Sequence, residues 1–246
     1  MVVVEVCVES LAGVRAAARA GAARVELCAG LREGGTTASH GALECAASER
    51  GAGIVALIRP RGGDFLYSEE ELRVMQADVA AARALGLAGV ALGCLTAQGA
   101  IDEERTGRLI ERARPLAVTF HRAFDLARDP LEALEALVRL NVERVLTSGQ
   151  EASALEGSAR IGELVRAARG RIAIVAAGGI RAANVRQVLA QSGVRELHLG
   201  ASGRVESAMR HRNPRPRLAH AGSGNGEYAH WETDERVLAE LFAALR

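Results

Sequence analysis

Two short strings near the start of the chain pair an acid with a thiol at the same spacing, Glu5-Val6-Cys7 and Glu26-Leu27-Cys28. Thiolate sulfur is a soft donor, and two sulfurs satisfy Cu(I), whereas zinc asks for three or four protein ligands that this spacing does not supply. Small thiols are equally ordinary core residues. Cys7 and Cys28 are therefore either packing or the ligands of one soft metal ion. A second set of residues suits anions and proton transfer. Arg59 and Arg61 flank Pro60 and are followed by Gly62-Gly63-Asp64. A planar guanidinium grips a carboxylate or phosphate through two parallel hydrogen bonds. His121 with Glu5 or Glu26 has the residue types of general acid–base chemistry. The strings Ala177-Gly178-Gly179-Ile180-Arg181 and Gly200-Ala201-Ser202-Gly203 are small-residue loops whose backbone N–H groups can cradle an anion.

Other chemistries are excluded. All 31 basic residues are arginine. Without a lysine amine there is no Schiff base to a carbonyl substrate or to pyridoxal. No Gly-x-Ser-x-Gly elbow supports a serine nucleophile. A net charge of +1 leaves no footprint for nucleic acid or an anionic membrane, and 3% aromatic residues make no stacking platform. The four cysteines, at 7, 28, 45 and 94, form no Cys-x-x-Cys pair, which speaks against a disulfide framework and a zinc knuckle. Cys45 falls on a helical pattern over Gly41–Ser48, and Cys94 follows a strand with no evident partner. His211, His220 and His230 match no metal spacing. No apolar run approaches the roughly 20 residues of a membrane helix. The opening Met1-Val2-Val3-Val4-Glu5 lacks the basic region of a signal peptide, so a cytoplasmic protein is expected.

The elements that must position these groups are legible. Short apolar runs recur at Val3–Val8, Arg24–Cys28, Ile54–Ile58, Gly89–Gly93, Leu116–His121, Arg144–Ser148, Ile172–Ala177 and Arg195–Leu199. Between most of them lie Ala/Leu/Arg/Glu stretches with helical periodicity. Ser68 with Glu71 has the capping-box pattern, and Asp129-Pro130 reads as an N-cap followed by the first helical residue. Eight strand–helix units in 246 residues predict one (β/α)8 barrel, since no Gly-x-Gly-x-x-Gly follows the first strand to favour a doubly wound sheet. Residues 204–232 are expected as a long loop between the eighth strand and the last helix, made basic by Arg210, Arg212, Arg215 and Arg217.

In such a barrel, side chains alternate between lumen and helices. Glu5, Cys7, Glu26, Cys28, Arg59, Thr119, His121 and His198 then face inward. Unpaired charge is costly there, so these groups must pair. They form either a salt-bridge set that holds the barrel or chemistry at the strand C-termini, where barrel enzymes place it. The second reading predicts a pocket lined by Arg59, His121, Gly179 and Ser202 with an arginine donor left open.

The strings Glu5-Val-Cys7-Val, Arg24-Val-Glu-Leu-Cys28, Glu33-Gly-Gly35, Ile58-Arg-Pro-Arg-Gly-Gly-Asp-Phe65, Thr119-Phe-His-Arg-Ala-Phe-Asp125 and Arg144-Val-Leu-Thr-Ser-Gly-Gln150 resemble the CutC family of copper homeostasis proteins. The resemblance runs from the first strand through Ser202 and weakly on to Asn213. It implies a (β/α)8 barrel, a cytoplasmic protein and copper handling, with Cu(I) held at the positions matching Cys7 and Cys28. Leu66 and Ala127 stand where many members carry a further cysteine, and Cys94 replaces a small aliphatic residue. Two readings follow. One is a Cu(I)-binding protein using Cys7 and Cys28. The other is a barrel enzyme acting on a small anionic molecule, phosphate or carboxylate. There Arg59 and Arg61 hold the substrate, His121 with Glu5 or Glu26 moves protons, and Gly178, Gly179 and Ser202 bind the anion. The partner is a metal ion or small anion rather than nucleic acid or membrane, and a homo-oligomer is compatible with both.

Overall fold

The alternation of valine with acid and thiol in the first strand repeats around a closed sheet. The computed structural model describes residues 2–213, 215 and 227–246. Its parallel strands are β1 Val3–Val8, β2 Arg24–Ala29, β3 Gly53–Leu57, β4 Gly89–Leu92, β5 Ala117–Phe120, β6 Arg144–Thr147, β7 Ala173–Ala177 and β8 Glu196–Gly200. Each pairs with the next in chain order, and β8 returns to β1 with Glu5 opposite His198, so the sheet closes. The helices are α1 Leu11–Ala20, α2 His40–Ala47, α3 Glu69–Ala84, α4 Glu103–Ala113, α5 Pro130–Arg139, α6 Ser158–Ala168, α7 Val185–Ser192 and α8 Glu235–Ala244. The (β/α)8 expectation holds.

Local signals set the helix ends. The Ser68 hydroxyl accepts from the Glu71 amide while the Glu71 carboxylate accepts from the Ser68 amide. Asp129 accepts from Leu131 and Glu132 ahead of a helix that begins with Pro130. Cys45 lies on α2 and is exposed. The main core sits between strands and helices: Phe120, Leu72, Leu109, Leu134, Leu137 and Leu164 are fully buried there. Inside the barrel the apolar filling is smaller, with Val55, Leu57, Ala91 and Cys28 in one patch and Leu146, Val175 and Ala177 in another. Charged and polar groups occupy the rest of the lumen.

The segment expected as irregular differs at both ends. Ser202–Glu206 pairs antiparallel with Ala229–Thr233, with Arg204 opposite Trp231. These strands lie more than 20 residues apart in sequence and carry no alternation, so only their tertiary pairing reveals them. The ribbon is pinned to the start of α1, where the Ser10 hydroxyl donates to Glu232, and Arg32 stacks over Trp231. His211, His230, Arg210, Arg212 and Arg215 are exposed, whereas Arg217 and His220 lie outside the described residues.

One glycine is demanded by a close approach. Gly157, just before α6, packs on the carbonyl of Ser148, and a Cβ there would lie 1.9 Å from that oxygen. Gly157→Ala is expected to cost about 1–3 kcal/mol through overpacking, read as a lowered midpoint in urea unfolding. An unchanged midpoint would show that the loop carrying Ser148 shifts freely.

Candidate functional site

At the strand C-termini the barrel opens into a cavity of about 680 Å³. Cys7, Glu26, Arg59, His121 and His198 reach it from β1, β2, β3, β5 and β8 or the residues just after them. Residues 178–183 line it from the loop after β7, and Gly200, Ala201 and Ser202 from the end of β8 and the two residues that follow. Arg59, His121, Gly179 and Ser202, expected together from sequence, do share this cavity.

An ion-pair network lies in the lumen beside it. Glu5 Oε1 is 2.9 Å from His198 Nδ1, and Glu5 Oε2 accepts from Arg24 Nε at 2.8 Å. Arg24 also donates to Glu196 at 2.5 Å. Burial alone would raise the Glu5 pKa, but the bond and charge of His198 and the Arg24 guanidinium outweigh it and hold Glu5 down to about 2. His198, which burial alone would deprotonate, is held protonated well above its ordinary range by the neighbouring Cys7 sulfur, by Glu26 and by its bond to Glu5. Glu26 Oε1 sits 4.0 Å from His198 Nε2. Burial first, and then the charge of Glu5, push Glu26 up to about 7 against the pull of His198. Glu5, Glu26 and His198 bring ligand atoms within 4.8 Å of one another. Both Glu5 oxygens are already bonded, so the trio functions first as a charge network. Glu5 is thus committed to positioning, and of the two expected acids only Glu26 lines the cavity.

Arg59 is held by backbone carbonyls rather than by a carboxylate. Its Nη1 donates to the carbonyls of Glu33 and Gly35, at 3.2 and 2.8 Å, and its Nη2 to the carbonyl of Gly63 at 2.7 Å. The guanidinium therefore ties the loops after β2 and β3 together. Its Nε is buried and has no partner among the described residues. His121 shows a similar division. Its Nδ1 accepts from the Ala123 amide at 3.2 Å, which puts the ring proton on Nε2. That Nε2 is also buried without a partner among the described residues. Burial, and then the Arg59 charge, lower the His121 pKa to about 3. His121 is therefore a neutral hydrogen-bond donor near pH 7. The Phe65 ring lies 4.9 Å from the Arg59 guanidinium carbon and 4.9 Å from the His121 ring. Glu26 Oε2 is a third buried atom without a partner among the described residues.

Arg61 does not join them. It pairs with Glu71 at 2.5 Å and Asp64 at 3.1 Å, donates to the Leu66 carbonyl and stacks over Tyr67, outside the cavity lining. The Gly62-Gly63 turn folds Asp64 back onto it, so the substrate-holding role expected for Arg61 has no geometric support. The thiols are also separated. Cys7 lines the cavity, with its sulfur 3.4 Å from the Leu199 carbonyl. Cys28 is buried off the cavity and donates to the Val8 carbonyl at 3.4 Å. Because Cys7 registers with Glu26, Cys28 lies diagonally from it on the adjacent strand. Burial and the charge of Glu26 push the Cys28 thiol pKa upward. Gly178 and Gly179 line the cavity with φ of +100° and +67°, a left-handed pair that glycine favours.

Some contributors escaped sequence reasoning. Asp125 accepts from Arg122 Nε, the Thr147 hydroxyl and the amides of Ser148 and Gln150, which fixes the rim after β6. Arg122 and Arg181 both line the cavity. The Thr119–Asp125 string signalled the first two only through resemblance, and nothing in the pattern marks Arg181.

A family model described as CutC family matches residues 2–203. A CutC family protein of Mesorhizobium japonicum is 51% identical over 244 residues, which cover 99% of this chain and 94% of that one. A mouse protein named copper homeostasis protein cutC homolog is 45% identical, with 97% and 88% covered. The crystal structure of a CutC protein from Streptococcus agalactiae superposes with a TM-score of 0.77 at 35% identity, covering 81% of this chain and 98% of that one. Among the described residues no helix is long and apolar enough to cross a membrane. By full-length sequence similarity and by fold, the chain belongs to the CutC family.

Proposed function

We propose that this CutC-family barrel binds a small anionic molecule in the cavity at its strand C-termini and moves a proton on it. One observation carries the reading: Arg59 Nε, His121 Nε2 and Glu26 Oε2 are buried without partners, and all three side chains line the same cavity. A buried polar atom left unpaired costs about 1–3 kcal/mol, a cost a ligand removes by supplying the partner. The two N–H groups lie just behind the cavity wall, where a ligand oxygen that displaces the wall would satisfy them. Glu26, near 7, exchanges a proton at neutral pH. Gly178, Gly179 and Ser202 offer the loops for the anionic part. Crystals soaked in phosphate, sulfate or a small carboxylate are expected to place the anion in this cavity, and the same ions should raise the melting temperature. Arg59→Met is expected to abolish that rise. Water alone in the soaked cavity, with an unchanged shift in Arg59→Met, would overturn the reading.

The family name and the place of Cys7 support a second reading, Cu(I) carriage. The donors fit by type, since Cys7 on the cavity wall and Cys28 diagonal to it are soft sulfurs. Burial keeps the Cys28 thiol protonated, so loading would release a proton and weaken as pH falls. The Cys7→Ser, Cys28→Ser double variant is expected to lose Cu(I) to a competing chelator while melting like the wild type. An unchanged Cu(I) affinity would reject the site. The free thiols support a cytoplasmic location for either reading, since thiols stay reduced there.

A further inference from the structure

Cys28 and Cys94 are buried and Cys45 is exposed on α2, whereas Cys7 is half-buried on the cavity wall. Across the seam where β8 closes on β1, the Cys7 thiol lies within hydrogen-bond reach of the His198 imidazole. That imidazole also lines the cavity and keeps 12% of its side chain accessible. The ring is clamped: Nδ1 bonds Glu5 Oε1 at 2.9 Å, and Glu5 Oε2 is held in turn by Arg24 at 2.8 Å. Arg24 is further engaged by Glu196. Glu26, the other acid facing the imidazole, stands at 4.0 Å, beyond hydrogen-bond distance. The sulfur makes one weak bond besides, to the Leu199 carbonyl at 3.4 Å. Gly200 leaves the sulfur uncovered on its side, since a Cβ there would stand 3.5 Å from it.

A thiol in reach of an imidazole, with the imidazole oriented by a buried carboxylate, has the connectivity of a nucleophile, its base and the group that fixes the base. We propose that Cys7, with His198 as its base and Glu5 as the positioning residue, is the nucleophile of an acyl transfer and takes the acyl group of a small ester or thioester that enters the cavity. The protonated state of His198 agrees with this arrangement, because an imidazolium stabilises a thiolate beside it. The sulfur, its proton held by His198, attacks the carbonyl carbon, and a C–S bond forms. The bond from that carbon to the leaving oxygen or sulfur breaks, and His198 passes the proton to the leaving group. Water then attacks the thioester and gives a proton to His198. The C–S bond breaks, the acid departs, and thiolate and imidazolium are restored. A cavity of about 680 Å³ admits a substrate of small-organic size. The covalent step lies outside the anion reading and depends on different residues.

Treatment of the full chain with p-nitrophenyl acetate tests the nucleophile. Peptide mapping by mass spectrometry follows acetylation at Cys7 and at Cys45, whose exposed place on α2 makes it the reference for an unassisted thiol. In the folded chain Cys7 is expected to react about tenfold or more faster than Cys45, although it is the less exposed, and in urea the two should react alike. His198→Gln should slow Cys7 by about a hundredfold and leave Cys45 unchanged. Glu5→Gln should slow Cys7 more than Glu5→Asp, which keeps the charge. Melting curves report whether each variant is folded, and the comparison of Cys7 with Cys45 in the wild type decides the matter even where a variant does not fold. Cys7 reacting no faster than Cys45 in the folded wild type, or at the wild-type rate in folded His198→Gln, overturns the nucleophile. Equal slowing by Glu5→Gln and Glu5→Asp overturns the positioning role of Glu5.

Discussion

Replacing Glu5 by alanine is expected to cost about 3–5 kcal/mol of folding stability, the usual consequence of removing one partner from a buried ion pair. Arg24 would lose its 2.8 Å bond and His198 its 2.9 Å bond in the same step, leaving buried cationic groups with fewer countercharges. Glu5→Gln retains an acceptor oxygen and should lose less. Urea unfolding at pH 7 measures both, and a loss below about 1 kcal/mol for the alanine variant would show that Arg24 and Glu196 hold the network without Glu5. The pH dependence follows from the direction of the shift. Glu5 titrates at about 2 in the folded chain and at 4.5 ordinarily. Its contribution is therefore full above 4.5 and drains away as pH falls toward 2, where the unfolded chain has already bound the proton.

Glu26 has the opposite sign and gives the second large effect. Its folded pKa near 7 lies above the ordinary 4.5. Between those values the folded chain holds a proton that the unfolded chain has released, so stability falls as pH rises through the window. At about 1.4 kcal/mol per unit, the shift corresponds to about 3 kcal/mol. Glu26→Gln mimics the protonated carboxyl at every pH. The wild type is expected to lose about 3 kcal/mol relative to this variant between pH 4.5 and 8. Parallel stability curves for the two proteins would show that Glu26 is ionised throughout, in ion-pair contact with His198, and would remove its role as a proton donor near neutrality.

Much of the barrel was legible because strand and helix signals are local. The Val3–Val8 strand has the bounds that its alternation predicts, since successive side chains must point to opposite faces. The same period of two sent Glu5, Glu26, His121 and His198 inward, and the Ser68-Glu71 and Asp129-Pro130 signals set helix starts through bonds spanning two or three residues. Alternation chooses a face but not a partner. Arg24 rather than Arg59 bonds Glu5, and closure of β8 against β1 brings His198 to Glu5 across 193 residues. The backbone carbonyls of Glu33, Gly35 and Gly63 occupy Arg59, the turn after it sends Arg61 outward, and the Ala123 amide selects the His121 tautomer. Cys7 and Cys28 share a pattern but not an environment, because a diagonal step along the barrel takes one to the cavity and the other beneath a loop. The Ser202–Glu206 and Ala229–Thr233 ribbon exists only where its two strands meet. Residue type and period select the groups that enter the lumen, whereas barrel closure and the loops decide which of them remain unpaired for a ligand.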